Sequence, residues 1–163
     1  MQKLWAPWRE KYVTKDIRHN KGCVFCRIHK EKKDKENFVI VRKEYCFVVL
    51  NIYPYNNGHT LILPYRHVND ISKLKKAEKL ELYDLIDETR TLLDDVLQPG
   101  GYNIGCNLGR IAGAGYPGHL HFHIVPRWSG DVNFMPVVGQ TKVISQSLQI
   151  LYKQLIHAYK NRH

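Results

Sequence analysis

The chain has 163 residues, of which 44% are hydrophobic, and its 25 Lys and Arg against 15 Asp and Glu give a formal net charge of +10. This length fits one domain with a single core, and the composition excludes a disordered or fibrous chain. No apolar run is long enough to span a bilayer, and four cysteines in a chain this long do not make a disulfide scaffold.

Residues 1–20 are polar and aromatic without a clear period. Pro7 disfavours a helix through this arm. Trp5 and Trp8 are costly to expose, so the arm is expected to pack on the body or on a second subunit. The stretch Met1-Gln2-Lys3-Leu4-Trp5 lacks the apolar region of a secretory signal, so the expected location is the cytoplasm. The basic balance attracts polyanions, and nucleotide polyphosphates and nucleic acid both fit. Much of the lysine, however, lies in mixed-charge stretches such as His29 to Glu36, which read as solvated surface. No basic motif interleaved with aromatics stands out, so nucleic acid is not the expected partner.

Cys23-Val24-Phe25-Cys26 is a C-x-x-C pair, able to hold zinc or to cycle as a dithiol. The redox reading needs a preceding strand and a βαβ pattern, and neither is visible. Zinc needs two more ligands: His19 and His29 are near in sequence, His67 and His119 are distant. Cys46 and Cys106 sit in strand-like apolar runs and read as buried thiols.

Phe38 to Val41 and Cys46 to Leu50 are rich in β-branched and aromatic residues and read as strands joined through Arg42-Lys43-Glu44-Tyr45. Asn51 to Gly58 reads as loop, and His59 to Leu63 as a third strand closed by Pro64. A long helix is expected from about Lys76 to Leu97, with Leu80, Tyr83, Leu85, Ile86, Leu92, Leu93, Val96 and Leu97 on its packed face. Gln98-Pro99-Gly100-Gly101 stops it, and Tyr102 to Asn107 reads as a fourth strand. After Trp128, residues 129–140 read as loop. Lys142 to Tyr159 follows a helical pattern with Ile144, Leu148, Leu151, Leu155 and Ile156 on one stripe. The expected architecture is α+β: a five-stranded antiparallel sheet with a long helix on one face, an N-terminal arm and a C-terminal helix, in one domain over 1–163. Its core spans 21–128 and its C-terminal extension 129–163.

The fifth strand carries the chemistry. In His119-Leu120-His121-Phe122-His123-Ile124-Val125 histidine alternates with apolar residues, so Leu120, Phe122 and Ile124 face a core and three imidazoles line the other face. Pro126 is expected to end the pairing because it lacks the amide donor. The preceding loop, Asn107 to Gly118, has four glycines that let the backbone come close to a ligand, and its successive amides can cradle an anion. Residue types alone leave two readings open for the histidines: a catalytic zinc site and a nucleophilic imidazole acting at phosphate.

The alternating histidine motif resembles the signature of the histidine triad (HIT) superfamily, and Asn51 through Pro64 and Asn103 through Pro126 also resemble that family. Leu4-Trp5-Ala6-Pro7-Trp8-Arg9 and Pro126 through Phe134 resemble its bacterial diadenosine tetraphosphate phosphorylase-type branch, close to Fhit-like proteins. The resemblance implies that His121 attacks the α-phosphorus of a nucleotide to form a nucleotidyl-histidine. His123 would hold the scissile or leaving oxygen, and His59 would face the triad. It implies nucleotide contacts from Asn51 at the ribose, from Asn107, Gly113 and Gly115 at phosphate, and from Val24, Phe25, Val49 and Leu61 at the base. It also implies structural zinc on Cys23, Cys26, His67 and His119, a homodimer, and a dinucleoside polyphosphate substrate. Inorganic phosphate is the expected acceptor; a hydrolase or nucleoside phosphoramidase using water is the alternative. A nucleotide- or RNA-binding module without turnover, and a catalytic-zinc hydrolase using His119, His121 and His123, are the competing classes. The sequence departs from the family pattern at Ala112-Gly113-Ala114, where the usual glutamine is absent.

Overall fold

In the computed structural model, residues 22–131 and 143–162 are described. The expected N-terminal arm with Trp5 and Trp8, His19, the branch-like residues Val132 to Phe134 and the expected helix start at Lys142 lie outside the described residues. The elements run α1 (Val24–Glu31), β1 (Val39–Arg42), β2 (Cys46–Leu50), β3 (Thr60–Pro64), a 3₁₀ turn (Ile71–Lys73), α2 (Lys76–Leu97), β4 (Gly101–Cys106), β5 (Phe122–Arg127) and α3 (Leu148–Arg162).

The five strands form one sheet in the order β1-β2-β3-β5-β4, with every neighbouring pair antiparallel. Every residue of β2 and β3 is buried, because both faces of the sheet are covered. Cys46, Val48, Leu50, Ile62 and Ile124 face the layer of α2 and α3. Phe47, Val49, Leu61 and Leu63 face α1, packing with its Phe25 and Ile28. A register irregularity between Val39 and Val41 puts two consecutive residues, Ile40 and Val41, on the α2 side.

Helix α2 has the expected limits, but its packed seam is different. Glu78, Leu82, Leu85, Thr89, Leu92 and Leu93 are buried, whereas Leu80 and Tyr83 are exposed. Position 82 is about 200° around the helix from 80, so the seam through 78, 82, 85, 89 and 92 turns Leu80 and Tyr83 to solvent. The C-terminal helix starts later than expected. Ser147 Oγ accepts from Ile150 N at 3.3 Å, a cap that fixes the start after Ile144. Leu151 and Leu155 are its buried contacts.

Two expectations for β5 are corrected. The strand begins at Phe122, so His119 and His121 precede it. Pro126 lies inside it, opposite Tyr102. The Pro126 carbonyl accepts from Asn56 Nδ2 at 3.0 Å, so its backbone polar groups point away from β4. There β3 has already ended, and the missing amide costs no ladder bond. Helix α1 was not anticipated: it has only two buried residues, Phe25 and Ile28, among charged neighbours. It closes the second face of the sheet and builds the wall of the site.

Candidate active site and metal cluster

On the α1 face, β5 sits beside β3 with His123 opposite Leu61. His121, two residues earlier, is 6% exposed, and its ring centroid lies 4.9 Å from that of His123 and 5.6 Å from that of Phe25. His121 Nδ1 lies 2.8 Å from the carbonyl oxygen of His119. A carbonyl only accepts, so Nδ1 carries the proton and Nε2 keeps its lone pair. Burial lowers the His121 pKa below the ordinary imidazole value and keeps the ring neutral.

The tautomers of His59 and His123 follow by the same reasoning. His59, almost fully buried, accepts from the Tyr55 amide at its Nδ1 (3.0 Å). Its Nε2–H therefore donates to His123 Nδ1 at 2.9 Å, and neutral His123 carries its proton on Nε2. Asn51 supports the arrangement: Nδ2 lies 3.3 Å from His59 Nδ1, and Oδ1 accepts from the Tyr53 amide at 2.9 Å. Asn51 thus caps its own turn, with its oxygen engaged locally.

These groups open onto a cavity of about 330 Å³ lined by Phe25, Val49, Asn51, Leu61, His121 and His123, with Gly115 and Tyr116 at one side and Val24 at another. That volume suits a nucleoside-sized ligand. Phe25 and Ile28 form one wall and Val49 and Leu61 the other, so Val49 and Leu61 are at once core residues and cavity lining. Asn107 and Gly113, expected at phosphate, do not line this cavity, although Gly113 closes its turn on Arg110 through a left-handed φ of 90°. Tyr55 and Tyr116 do line it and were not anticipated. Tyr55 stacks on His123 with centroids 5.7 Å apart, and Tyr116 meets the edge of Phe25 at 5.6 Å. An aromatic residue in the Pro54-flanked loop just before His59 was the available signal for Tyr55.

Cys23, Cys26, His67 and His119 form a second group, whose ligand atoms all lie within 4.8 Å of one another. Cys23 Sγ is 3.3 Å from His119 Nδ1, Cys26 Sγ is 3.4 Å from His67 Nδ1 and 3.7 Å from His119 Nδ1, and the two imidazole nitrogens are 3.3 Å apart. A tetrahedral zinc with its usual bond lengths sets N···N near about 3.3 Å and S···N near about 3.6 Å. The four residues therefore fit this ion, and they leave it no open position. His119 Nε2 lies 2.9 Å from the Pro64 carbonyl, which fixes its proton there and turns Nδ1 to the cluster. Burial, then a hydrogen bond and charge from Cys23, push the Cys26 thiol up to about 11; a bound dication would reverse this and ionise it.

Because the His119 ring turns to the thiols, His119, His121 and His123 do not converge on one point, and the catalytic-zinc reading of the triad falls. His29 is also absent from the cluster: its ring lies against Tyr65, centroids 4.1 Å apart.

A family model described as the HIT domain matches residues 32–130. The chain is 38% identical over 156 residues to a Mycobacterium tuberculosis protein named AP-4-A phosphorylase, covering 91% of this chain and 80% of that protein. A hypothetical histidine triad nucleotide-binding protein from Sulfolobus tokodaii superposes with a TM-score of 0.70 at 26% identity, over 85% of this chain and 93% of the other. A Zn-bound histidine triad family protein from Mycobacterium smegmatis shares the fold, with a TM-score of 0.69 at 23% identity, over 86% and 95% of the two chains.

Proposed function

The chain belongs to the HIT domain family and is a nucleotide-processing enzyme of that type, and from this premise we propose that it cleaves dinucleoside polyphosphates by phosphorolysis through His121. The carrying observation is the hydrogen bond from His121 Nδ1 to the His119 carbonyl, which leaves Nε2 as a neutral nucleophile on the cavity. Nε2 attacks the α-phosphorus, and the bond from that phosphorus to the bridging oxygen breaks. His123, whose Nε2–H is set by its bond from His59, hydrogen-bonds to the departing oxygen and stabilises the charge that develops there, so that oxygen leaves as a phosphate anion. Phosphate then attacks the nucleotidyl-histidine and releases a nucleoside diphosphate. The named activity of the mycobacterial relative favours phosphate over water as acceptor.

In this reading Asn51 approaches the ribose, Phe25, Val49 and Leu61 hold the base, and amides from Gly115 meet phosphate. Asn107 and Gly113 contribute only if the glycine loop closes on substrate. Cys23, Cys26, His67 and His119 hold structural zinc, which braces α1 against the loop that presents His121. Such a thiolate site suits the reducing cytoplasm. Among the described residues no helix is long and apolar enough to cross a membrane. A homodimer is proposed along β4, the strand at the end of the sheet, where Ile104 is 44% exposed.

The test is a product analysis with diadenosine tetraphosphate, with and without inorganic phosphate. ADP and ATP formed only with phosphate are expected. AMP and ATP without phosphate would make water the acceptor and the enzyme a hydrolase. His121→Ala is expected to abolish turnover while retaining nucleotide binding; full turnover in that variant overturns the mechanism.

A further inference from the structure

The end of the cavity farthest from the histidines is polar. Glu36 and Asn37 line it, in the turn between α1 and β1. β1 stands three strand steps from β5, roughly 14–15 Å at the usual spacing. An extended nucleotide with its phosphorus at His121 covers most of that span, so its base edge arrives at this turn.

The turn is held unusually firmly for a surface loop. Arg42 Nε and Nη2 bind both carboxylate oxygens of Asp34 at 2.7–3.1 Å, and Nη2 also reaches the Ile28 carbonyl. The Val39 amide closes on Asp34 O at 2.9 Å. Phe38, directly after Asn37, adopts a left-handed φ of 54°, a conformation a bulky side chain takes only when its surroundings impose it. Its carbonyl accepts from Leu50 N, and its ring meets Tyr152 of α3 edge-on at 5.6 Å. The Tyr152 hydroxyl donates to the Val39 carbonyl at 3.1 Å. Helix α3 thus pins the strained bend that sets Asn37 at the cavity.

The Asn37 amide is also locked in rotation. Nδ2 donates to the Lys33 carbonyl at 3.0 Å. A carbonyl cannot receive Oδ1, so the amide cannot flip without losing this bond. The bond therefore assigns which end of the amide is donor and which is acceptor, and leaves Oδ1 and one Nδ2 hydrogen to meet a ligand in that order. Adenine presents the complement on its Watson–Crick edge, the 6-amino donor beside the N1 acceptor. A 6-oxopurine presents the reverse order, and Glu36, which also lines this end of the cavity, has an acceptor-only carboxylate that offers the 6-oxygen no donor. Carboxamides are well suited to paired recognition of adenine for this reason.

We propose that Asn37, with Glu36 beside it, is the base-reading residue of this cavity and selects adenosine over 6-oxopurine nucleotides. The inference rests on the nucleotide reading of the site, to which it adds a base preference.

The test compares kcat/KM in phosphate for diadenosine tetraphosphate, its inosine counterpart and a counterpart with purine lacking the 6-substituent. Wild-type protein is expected to favour the adenosine substrate over both, by roughly five- to tenfold for the lost 6-amino bond alone. Asn37→Ala is expected to bring the adenosine-to-inosine ratio towards one, through KM rather than kcat. Glu36→Gln should narrow the ratio by improving the inosine substrate. General destabilisation of the turn would lower turnover of all substrates together and leave the ratio standing. A wild type that turns over all three equally, or an N37A protein that keeps the wild-type ratio, overturns the base-reading role and leaves the nucleotide reading intact. A wild type that neither cleaves nor binds any of them overturns both. The wild-type substrate series needs no variant to fold.

Discussion

His121 is the residue on which the pH dependence should turn. Its nucleophilic form is neutral, and burial lowers its pKa. The acid limb of kcat/KM, which reports the free enzyme, is therefore expected below the ordinary imidazole value of about 6.5. A limb at or above that value in a pH–rate profile would mean that another group controls the reaction. Glu78 gives the stability counterpart. Its side chain is 3% exposed and takes Arg66 Nε at 2.6 Å, Arg66 Nη2 at 2.7 Å and the Lys75 amide at 2.6 Å. The hydrogen bonds from Arg66 hold its carboxyl below the usual range against the opposing effect of burial. A folded value below the unfolded one gives a contribution present in full above about pH 4.3 and lost as pH falls through the folded value. E78Q should cost about 1–3 kcal/mol at neutral pH, with the gap to wild type closing in strong acid. Equal melting temperatures at pH 7 would show that the bonds contribute nothing. None of this was legible in the sequence, where Glu78 is one acid among many in a charged helix.

At the scale of elements, the Cys23, Cys26, His67 and His119 cluster joins α1, which carries Cys26 and follows Cys23, to the loops bearing His67 and His119. The His119 ring belongs to the cluster while its carbonyl sets the tautomer of His121. With the proposed zinc in place, adding a chelator or replacing Cys26 by serine should lower the melting temperature by roughly 5–10 °C, a few kcal/mol for a chain of this size. Turnover at 25 °C should outlast chelation until the fold itself fails. Prompt loss of activity with an unchanged melting temperature would give the metal a different role. Gly58 tests the opposite layer. Its φ is 74°, and an added Cβ would stand 2.5 Å from Leu97 Cδ1 and 3.0 Å from Pro126 Cγ. G58A is expected to destabilise by about 1–3 kcal/mol in a denaturant titration, and a neutral result would show that α2 can yield there. The limits of α2 were readable because Gln98-Pro99-Gly100-Gly101 ends it by backbone chemistry. The start of β5 was not, because the alternation of His119 to His123 looks the same whether or not β3 pairs with it. Helix α1 is not legible in the sequence because its two buried apolar residues, Phe25 and Ile28, three apart, do not establish a period.

At the scale of the whole molecule, the sequence led to a sheet covered on one face, whereas both faces are covered and the cavity lies under the second layer. The three-dimensional gathering of Cys23 and Cys26 with His67 and His119 came from family resemblance; spacing alone left His19 and His29 equally open. The net charge, by contrast, is legible directly and has a consequence of its own. A chain of +10 attracts a polyphosphate over a distance set by the ionic atmosphere, about 30 Å at 0.01 M salt and about 10 Å at 0.1 M. Raising salt across that interval should lower kcat/KM for diadenosine tetraphosphate several-fold while leaving kcat at saturation nearly constant. The imidazoles of the site are held as neutral, hydrogen-bonded rings with no charge for salt to screen, so the chemical step should not follow the salt. A small substrate with a single phosphate charge should show a much shallower slope. If kcat falls in parallel with kcat/KM, salt acts on the folded enzyme or on the reaction step, and long-range attraction is not what brings the substrate in.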